Sequence, residues 1–210
     1  MKRIVKPVNS FKKVIDALLP YSELITSDLQ TQGRLIKIEN EFAKFFLLDH
    51  GYVNLHRINE DLIISTVFSP YIIGLSFYPG AEIYYSIEMG LHCKMYQIPR
   101  VTALNSIKKY DLYREWMRIV SYKISFMYAR DISIFRHSAK EVVCNLLSRL
   151  MTLPNDFRES ISVIKYIEKR CTLSRSCIQR ILFSLKKEGS IEITNGYLTK
   201  VIMLPSQSYY

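Results

Sequence analysis

Ser176, Gln179, Arg180, Phe183 and Lys187 fall on one face of a helical period, with Arg175 beside them at its start and Lys186-Lys187 at its end. A helix face of guanidinium, amide and ammonium donors suits a polyanion. The same period puts Ile178, Ile181, Leu182 and Leu185 on the opposite side, where they can be buried. Ser174 is a good N-cap for this helix, because its hydroxyl can accept from a free backbone N–H, and Gly189 stops it. In front lies a first helix with Val163, Ile164, Ile167 and Cys171 at helical spacing, then a short break at Thr172-Leu173. Behind it, Ile191-Glu192-Ile193 and Tyr197 to Met203 read as two strands around Asn195-Gly196, a strong hairpin signal. From Ser162 to Met203 the order is therefore helix, short turn, capped helix, small hairpin. That is a winged helix-turn-helix, in which the second helix enters the major groove of DNA. The plainer reading is a helical end with a solvated basic face; it leaves the cap and the hairpin unexplained.

Charge agrees with this placement. The chain has 210 residues and a formal net charge of +10. Residues 138–210 carry 11 basic and 6 acidic groups, whereas residues 1–137 carry 18 and 13, so basic density is highest where the motif lies. A hydrophobic content of 49% with 23% charged residues is globular. Cys93, Cys144, Cys171 and Cys177 form no CxxC pair, and Lys2-Arg3 precedes no long apolar run. Both point to a reducing, cytoplasmic setting with no membrane span. No Gly-rich phosphate loop, GxSxG elbow or HExxH helix occurs, and four histidines offer little acid–base apparatus. Enzymatic function is the least supported class, with no catalytic residue, cofactor or metal ligand assigned.

Upstream, Val8 to Leu19 predicts a helix with Phe11, Val14, Ile15, Leu18 and Leu19 on one side and Pro20 ending it. From Gly33 to Gln97 the pattern changes to short strands rich in β-branched and aromatic residues. These are Leu35 to Ile38, Phe42 to Leu48, Tyr52 to Arg57, Leu62 to Val67, Tyr71 to Ile73, Ala81 to Met89 and Cys93 to Ile98. Their spacing argues for an antiparallel sandwich or barrel.

The run from Lys109 to Arg136 has neither Gly nor Pro and predicts one long helix. Tyr113, Met117, Val120, Ile124, Met127, Asp131 and Ile134 recur at spacings of four and three, a heptad seam broken once by the aspartate. Leu112, Trp116, Ile119 and Phe126 form a second stripe. One stripe suffices to pack the helix on its own sandwich, so the other needs a partner, most economically a second copy in a parallel coiled-coil dimer. The alternative is a helix buried within one monomer. Ser138-Ala139-Lys140-Glu141 fits a capping box that opens a further helix to about Thr152, followed by a turn at Pro154-Asn155-Asp156. The expected organisation is α+β: a β-roll domain with its N-terminal helix over residues 1–108, a dimerisation helix over 109–137, and a winged helix-turn-helix over 138–210.

A helix, a small jelly-roll β-roll, a long helix and a winged helix-turn-helix in this order resemble the superfamily of the cyclic-AMP receptor protein and the fumarate-nitrate regulators (CRP/FNR), and within it the IprA type of bacterial regulator. Phe45 to Arg57 around Gly51 looks like the family's strand–Gly–strand stretch of its cyclic-nucleotide-binding-like domain. Ile72-Ile73-Gly74 stands where the family has a glycine before its effector site, and Ser174 to Leu182 looks like its recognition helix. The resemblance implies that Arg175 and Arg180 grip guanine through O6 and N7. Ser176 stands where the family usually has an acid, which puts cytosine readout in doubt. Gln179 suits adenine N6 and N7, or a solvated surface, equally well. Thr172, Ser174, Lys187 and the wing residue Lys200 become candidates for phosphate contacts, with Thr194 and Asn195 at the wing tip as weaker ones. Glu168 replaces a small residue on the first helix, which implies a slightly different crossing angle.

Other departures concern the sensor. Cyclic-nucleotide binders of this family have an acid just after the glycine and an Arg-Ser pair on the next strand. Here Gly74 is followed by Leu75-Ser76, and the next strand reads Ala81-Glu82-Ile83-Tyr84-Tyr85-Ser86. A cyclic phosphate facing that strand would lack its charge-assisted partner, so cyclic-nucleotide control is not expected. The family's N-terminal iron–sulfur cysteine cluster is also missing, since the first cysteine is Cys93. Cys93 beside His92 is a candidate redox residue, although adjacent strand residues point to opposite faces. The expected partners are double-stranded DNA, a second copy of the chain and, as a further candidate, RNA polymerase, with a stress response as the setting. Two alternatives remain: a small-molecule or redox sensor of the same fold, with Phe77, Tyr78, Tyr84 and Tyr85 lining a pocket or simply packed, and an interaction module that has lost DNA binding.

Overall fold

The computed structural model describes residues 4–25, 35–36, 44–58, 60–75, 85–90, 92–134 and 138–204. They divide into two compact units, Val5–Ser125 and the chain from Phe126 onward.

In the first unit, helix α1 (Val8–Leu18) buries Phe11, Val14, Ile15 and Leu18. It is one residue shorter than its pattern suggested: Leu19–Tyr21 tightens into a 3-10 turn around Pro20, with Leu19 inside that turn. Two antiparallel four-stranded sheets follow. One is ordered β1 (Glu23–Ile25), β8 (Lys94–Pro99), β3 (Lys44–His50), β6 (Tyr71–Ile73). The other is ordered β2 (Leu35–Ile36), β7 (Tyr85–Met89), β4 (Tyr52–Arg57), β5 (Ile63–Phe68). Alternation sets the faces: in β5, Ile63, Ser65 and Val67 are buried while the residues between them are half-exposed. The opposite face of this sheet carries a polar ladder. Thr66 Oγ1 donates to Asn54 Oδ1 at 2.7 Å, Asn54 Nδ2 donates to Glu88 Oε2 at 2.8 Å, and His56 Nε2 lies 2.8 Å from the same carboxylate oxygen. Phe45, Leu47, Leu48, Val53, Ile72, Ile87, Met89 and Met95 fill the core with the apolar side of α1.

Strand β1 was not foreseen, because three residues are too few to show alternation. His92 and Cys93 are not strand neighbours either. His92 is a turn residue at φ 51°, and Cys93 precedes β8, buried against the core.

The long helix is corrected at its start. Arg100–Lys109 forms a separate helix α2, which buries Ala103, Ser106 and Ile107. Lys109 therefore ends one helix rather than opening another. Asp111 takes φ 50° in the break, and α3 runs over Tyr113–Ile134. Its two stripes differ sharply. Leu112 just ahead of it and Ile119 within it are buried, with Trp116 packed against the core and 5.4 Å from the ring of Phe45. Tyr113, Met117, Ile124 and Met127 are exposed, and Val120 is half-buried. The side chains of Asp131 and Ile134, and residue His137, lie outside the described residues. Phe126, the last member of the packed stripe, meets the Arg149 guanidinium at 5.5 Å, within the second unit.

In that unit, α4 (Ala139–Met151) opens on the expected capping box. Ser138 Oγ accepts from Glu141 N at 3.3 Å, and Glu141 Oε2 accepts from Ser138 N at 2.7 Å. A short helix α5 (Asn155–Ser160) stands where a turn was expected and buries Phe157. Then come α6 (Val163–Glu168), α7 (Arg175–Lys187) and the hairpin β9 (Ile191–Thr194) with β10 (Tyr197–Val201). Val143, Cys144, Leu147, Leu150, Tyr166, Ile167, Ile178, Leu182, Leu185, Ile191 and Leu198 are buried in this unit.

Candidate nucleic-acid interface

Helix α7 is fastened at both ends. Ser174 Oγ accepts from Cys177 N at 3.3 Å, and Ser176 Oγ lies 3.2 Å from the same hydroxyl. At the other end Gly189, at φ 70°, donates to Lys186 O at 3.1 Å and Ser190 N donates to Leu185 O at 2.9 Å. This pair of bonds is the Schellman closure, which uses a left-handed residue that glycine adopts without steric cost. Ile178, Leu182 and Leu185 bury the inner face, with Ile181 half-buried. Arg175, Ser176, Gln179, Arg180, Phe183 and Lys187 are all exposed, on the face their spacing predicted.

The first helix of the motif buries Val163, Tyr166 and Ile167. Ile164 is only half-buried, and Cys171 lies beyond the helix end, its thiol donating to Ile167 O at 3.3 Å. Tyr166, which shares that buried face, was not among the residues the spacing singled out; the Arg170 guanidinium covers its ring at 3.9 Å.

Thr172 is exposed in the turn between α6 and α7, and Lys200 is exposed on β10 opposite Glu192, 3.9 Å from its carboxylate. Thr194 and Asn195 are exposed at the wing tip. Asn195 and Gly196 both take positive φ, 52° and 85°, as a two-residue type I′ turn requires. Val163 N donates to Gly196 O at 2.9 Å, which ties the hairpin tip to the start of α6. The structure thus brings the turn, α7 and the β9–β10 hairpin into one small unit.

The replacement at Glu168 has a consequence that spacing did not reveal. Its carboxylate accepts from Arg175 Nη1 at 3.3 Å, across the turn from α6 to α7. A contact between residues seven apart has no helical signature when a turn intervenes. Farther along, Glu188 accepts from Ser184 Oγ at 2.6 Å and from Lys140 Nζ at 3.1 Å, joining the ends of α4 and α7 and holding its carboxyl below the usual range. Arg180, Gln179 and Lys187 project from the helix between these two tethers.

The unit from Val5 to Ser125 presents a different picture. Gly74 takes φ 98°, and a Cβ there would lie 3.1 Å from Lys44 O. Phe77, Tyr78, Glu82 and Tyr84 lie outside the described residues. Burial pushes the Cys93 thiol up to about 11, which disfavours the nucleophilic thiolate. Two lysines turn inward around Tyr71. Lys6 Nζ donates to Phe68 O at 2.7 Å and Lys123 Nζ to Ile72 O at 3.3 Å, and both lie within 5.5 Å of the Tyr71 ring centre. Loss of hydration lowers Lys6 to about 8 and Lys123 to about 7. Among the described residues no helix is long and apolar enough to cross a membrane.

A family model described as winged helix-turn-helix DNA binding matches residues 139–206. Over 210 residues, 99% of this chain and 100% of the relative, the chain is 27% identical to the Escherichia coli protein called inhibitor of hydrogen peroxide resistance. Among solved structures, a CooA variant from Carboxydothermus hydrogenoformans superimposes with a TM-score of 0.68 at 12% identity, covering 89% of this chain and 88% of that one. A transcriptional regulator of the CRP/FNR family from Eubacterium rectale gives a TM-score of 0.60 at 14% identity, covering 94% and 91%. By these likenesses and its own geometry, the chain has the fold of the CRP/FNR-family structures, with a winged helix-turn-helix of the DNA-binding kind over residues 139–206.

Proposed function

We propose that this chain regulates transcription as a homodimer that reads a roughly palindromic DNA site. The observation that carries the reading is the exposed face of α7, where Arg175, Ser176, Gln179 and Arg180 stand in solvent on a helix fixed at both ends. The two arginines suit guanine O6 and N7, Gln179 suits adenine, and Thr172, Ser174, Lys187 and Lys200 surround them as phosphate contacts. Self-association is supported by α3, whose Tyr113, Met117, Ile124 and Met127 are exposed at heptad spacing with Val120 between them. Leaving such a seam in water forgoes burial worth about 25 cal/mol per Å². A parallel coiled coil would cover it and set two recognition helices about 34 Å apart, one turn of DNA. RNA polymerase is then the expected further partner.

Control by cyclic nucleotide is not part of the reading, because the segment from Gly74 to Pro99 contains no arginine to meet the phosphate. An iron–sulfur centre is likewise absent from it, as no cysteine precedes Cys93. The name of the Escherichia coli relative supports a setting in the response to peroxide.

Selection of bound duplexes from a random library at about 150 mM salt tests this directly. It should enrich an inverted repeat with half-site centres about 10 base pairs apart. Sedimentation should give twice the 24.7 kDa of one chain. Cyclic AMP should leave the binding isotherm unchanged. A monomer that enriches nothing would overturn the reading, and a shift with cyclic AMP would overturn its effector clause.

A further inference from the structure

Phe183 is 70% exposed on α7, although the rest of the helix sorts its apolar residues inward. At about 100° per residue, it projects between the directions of Gln179 and Arg180, one turn farther along. Ser176 and Lys187 lie on the same stripe, on either side of it. An aromatic ring therefore occupies the centre of the face that the proposed function turns toward DNA, with cationic groups around it and no apolar neighbour on that stripe. A phosphate cannot use it, since the ring has no donor. In the major groove, the one apolar feature a base pair presents is the C5-methyl of thymine, and phenylalanine is among the side chains that meet it.

We infer that Phe183 is a specificity-determining residue that packs on a thymine methyl in each half-site. This inference rests on the DNA-reading function proposed above. Its place follows from helix geometry. Three residues beyond Arg180 correspond to about 4.5 Å along the axis, and stacked base pairs rise about 3.4 Å. The thymine is expected in the same half-site as the pair that Arg180 reads, close to it along the groove. Together the face then combines hydrogen bonding by Arg175, Gln179 and Arg180 with one methyl contact, which adds an apolar readout of thymine to the polar ones.

The test removes the methyl and nothing else. The full chain, Phe183→Ala and Phe183→Leu are titrated by fluorescence anisotropy against the enriched duplex and against duplexes in which single thymines become deoxyuridine. One substitution per half-site removes two methyl groups from the duplex and should weaken the wild type about ten- to twentyfold, about three- to fivefold for each buried methyl group. Phe183→Ala should lose that sensitivity while binding random DNA within about twofold of wild type. Phe183→Leu should keep part of the sensitivity, which guards against a helix merely disturbed by truncation. A wild type indifferent to every deoxyuridine, or an alanine variant as sensitive as wild type, would overturn the inference and leave sequence-specific binding intact. Failure of the wild type to prefer any sequence would overturn both.

Discussion

In the unit from Val5 to Ser125, Lys6 and Lys123 turn their ammonium groups inward, to Phe68 O, Ile72 O and the ring of Tyr71. In the unit from Phe126 onward, Arg175, Arg180 and Lys187 stand in solvent along one helix face. The same residue classes do different work. The inward lysines donate to strand carbonyls on either side of the β5–β6 turn, and loss of hydration lowers their proton affinity. The outward ones stay exposed, with Arg175 also meeting the Glu168 carboxylate at 3.3 Å. A net charge of +10 taken over the whole chain hides this division.

The comparison can be broken at its ligand-facing side first. Arg180→Ala should cost about 1–3 kcal/mol on a selected site and relax its sequence preference. Its thermal midpoint should stay within a degree or two of wild type, since surface changes away from packing are nearly neutral. Equal losses on selected and random DNA would reduce Arg180 to a phosphate contact.

On the inward side, Lys123→Met should do the reverse. A lysine whose folded value is near 7 has released its proton there, while the unfolded chain holds it up to the ordinary lysine range near 10.5. The unfolded state therefore binds more protons across that window, and stability rises with pH between about 7 and 10. Lys123→Met should flatten this rise and stabilise the protein at neutral pH by on the order of 1 kcal/mol, with DNA affinity unchanged. Denaturant titrations at several pH values check it; an unaltered slope would place Lys123 in water.

Two smaller effects sharpen the contrast. Lys200→Ala should weaken selected and random DNA alike and lower the slope of affinity against salt by about one. Glu168→Gln frees Arg175 from a half-exposed ion pair, and such pairs contribute only about 0–1 kcal/mol. It should therefore raise DNA affinity by at most a few-fold, and a loss of affinity would show that Glu168 positions Arg175 productively.

What could be read from residues alone tracks how local the signal is. Ser174, the apolar period of α7, Gly189 and Asn195-Gly196 each act over a few residues, and all stand where spacing put them. The two stripes of α3 were legible for the same reason. The boundary between α2 and α3 was not, because Asp111 enters the left-handed region without a Gly or Pro to announce it. Helix α2 buries only Ala103, Ser106 and Ile107, small or single residues that make a faint periodic pattern. Helix α5 was hidden by its six-residue length behind Pro154. The Glu168–Arg175 pair and the inward turn of Lys123 depend on tertiary placement, which no period encodes.

The central claim is that α7 reads sequence and does more than attract phosphate. Its most direct test is the ratio of affinities for the selected duplex and for a scrambled duplex of the same composition, measured together at about 150 mM salt. A sequence reader should give a ratio of about a thousand or more. A ratio near one, with both affinities falling equally steeply as salt rises, would mean that the basic face binds DNA as a polyanion only.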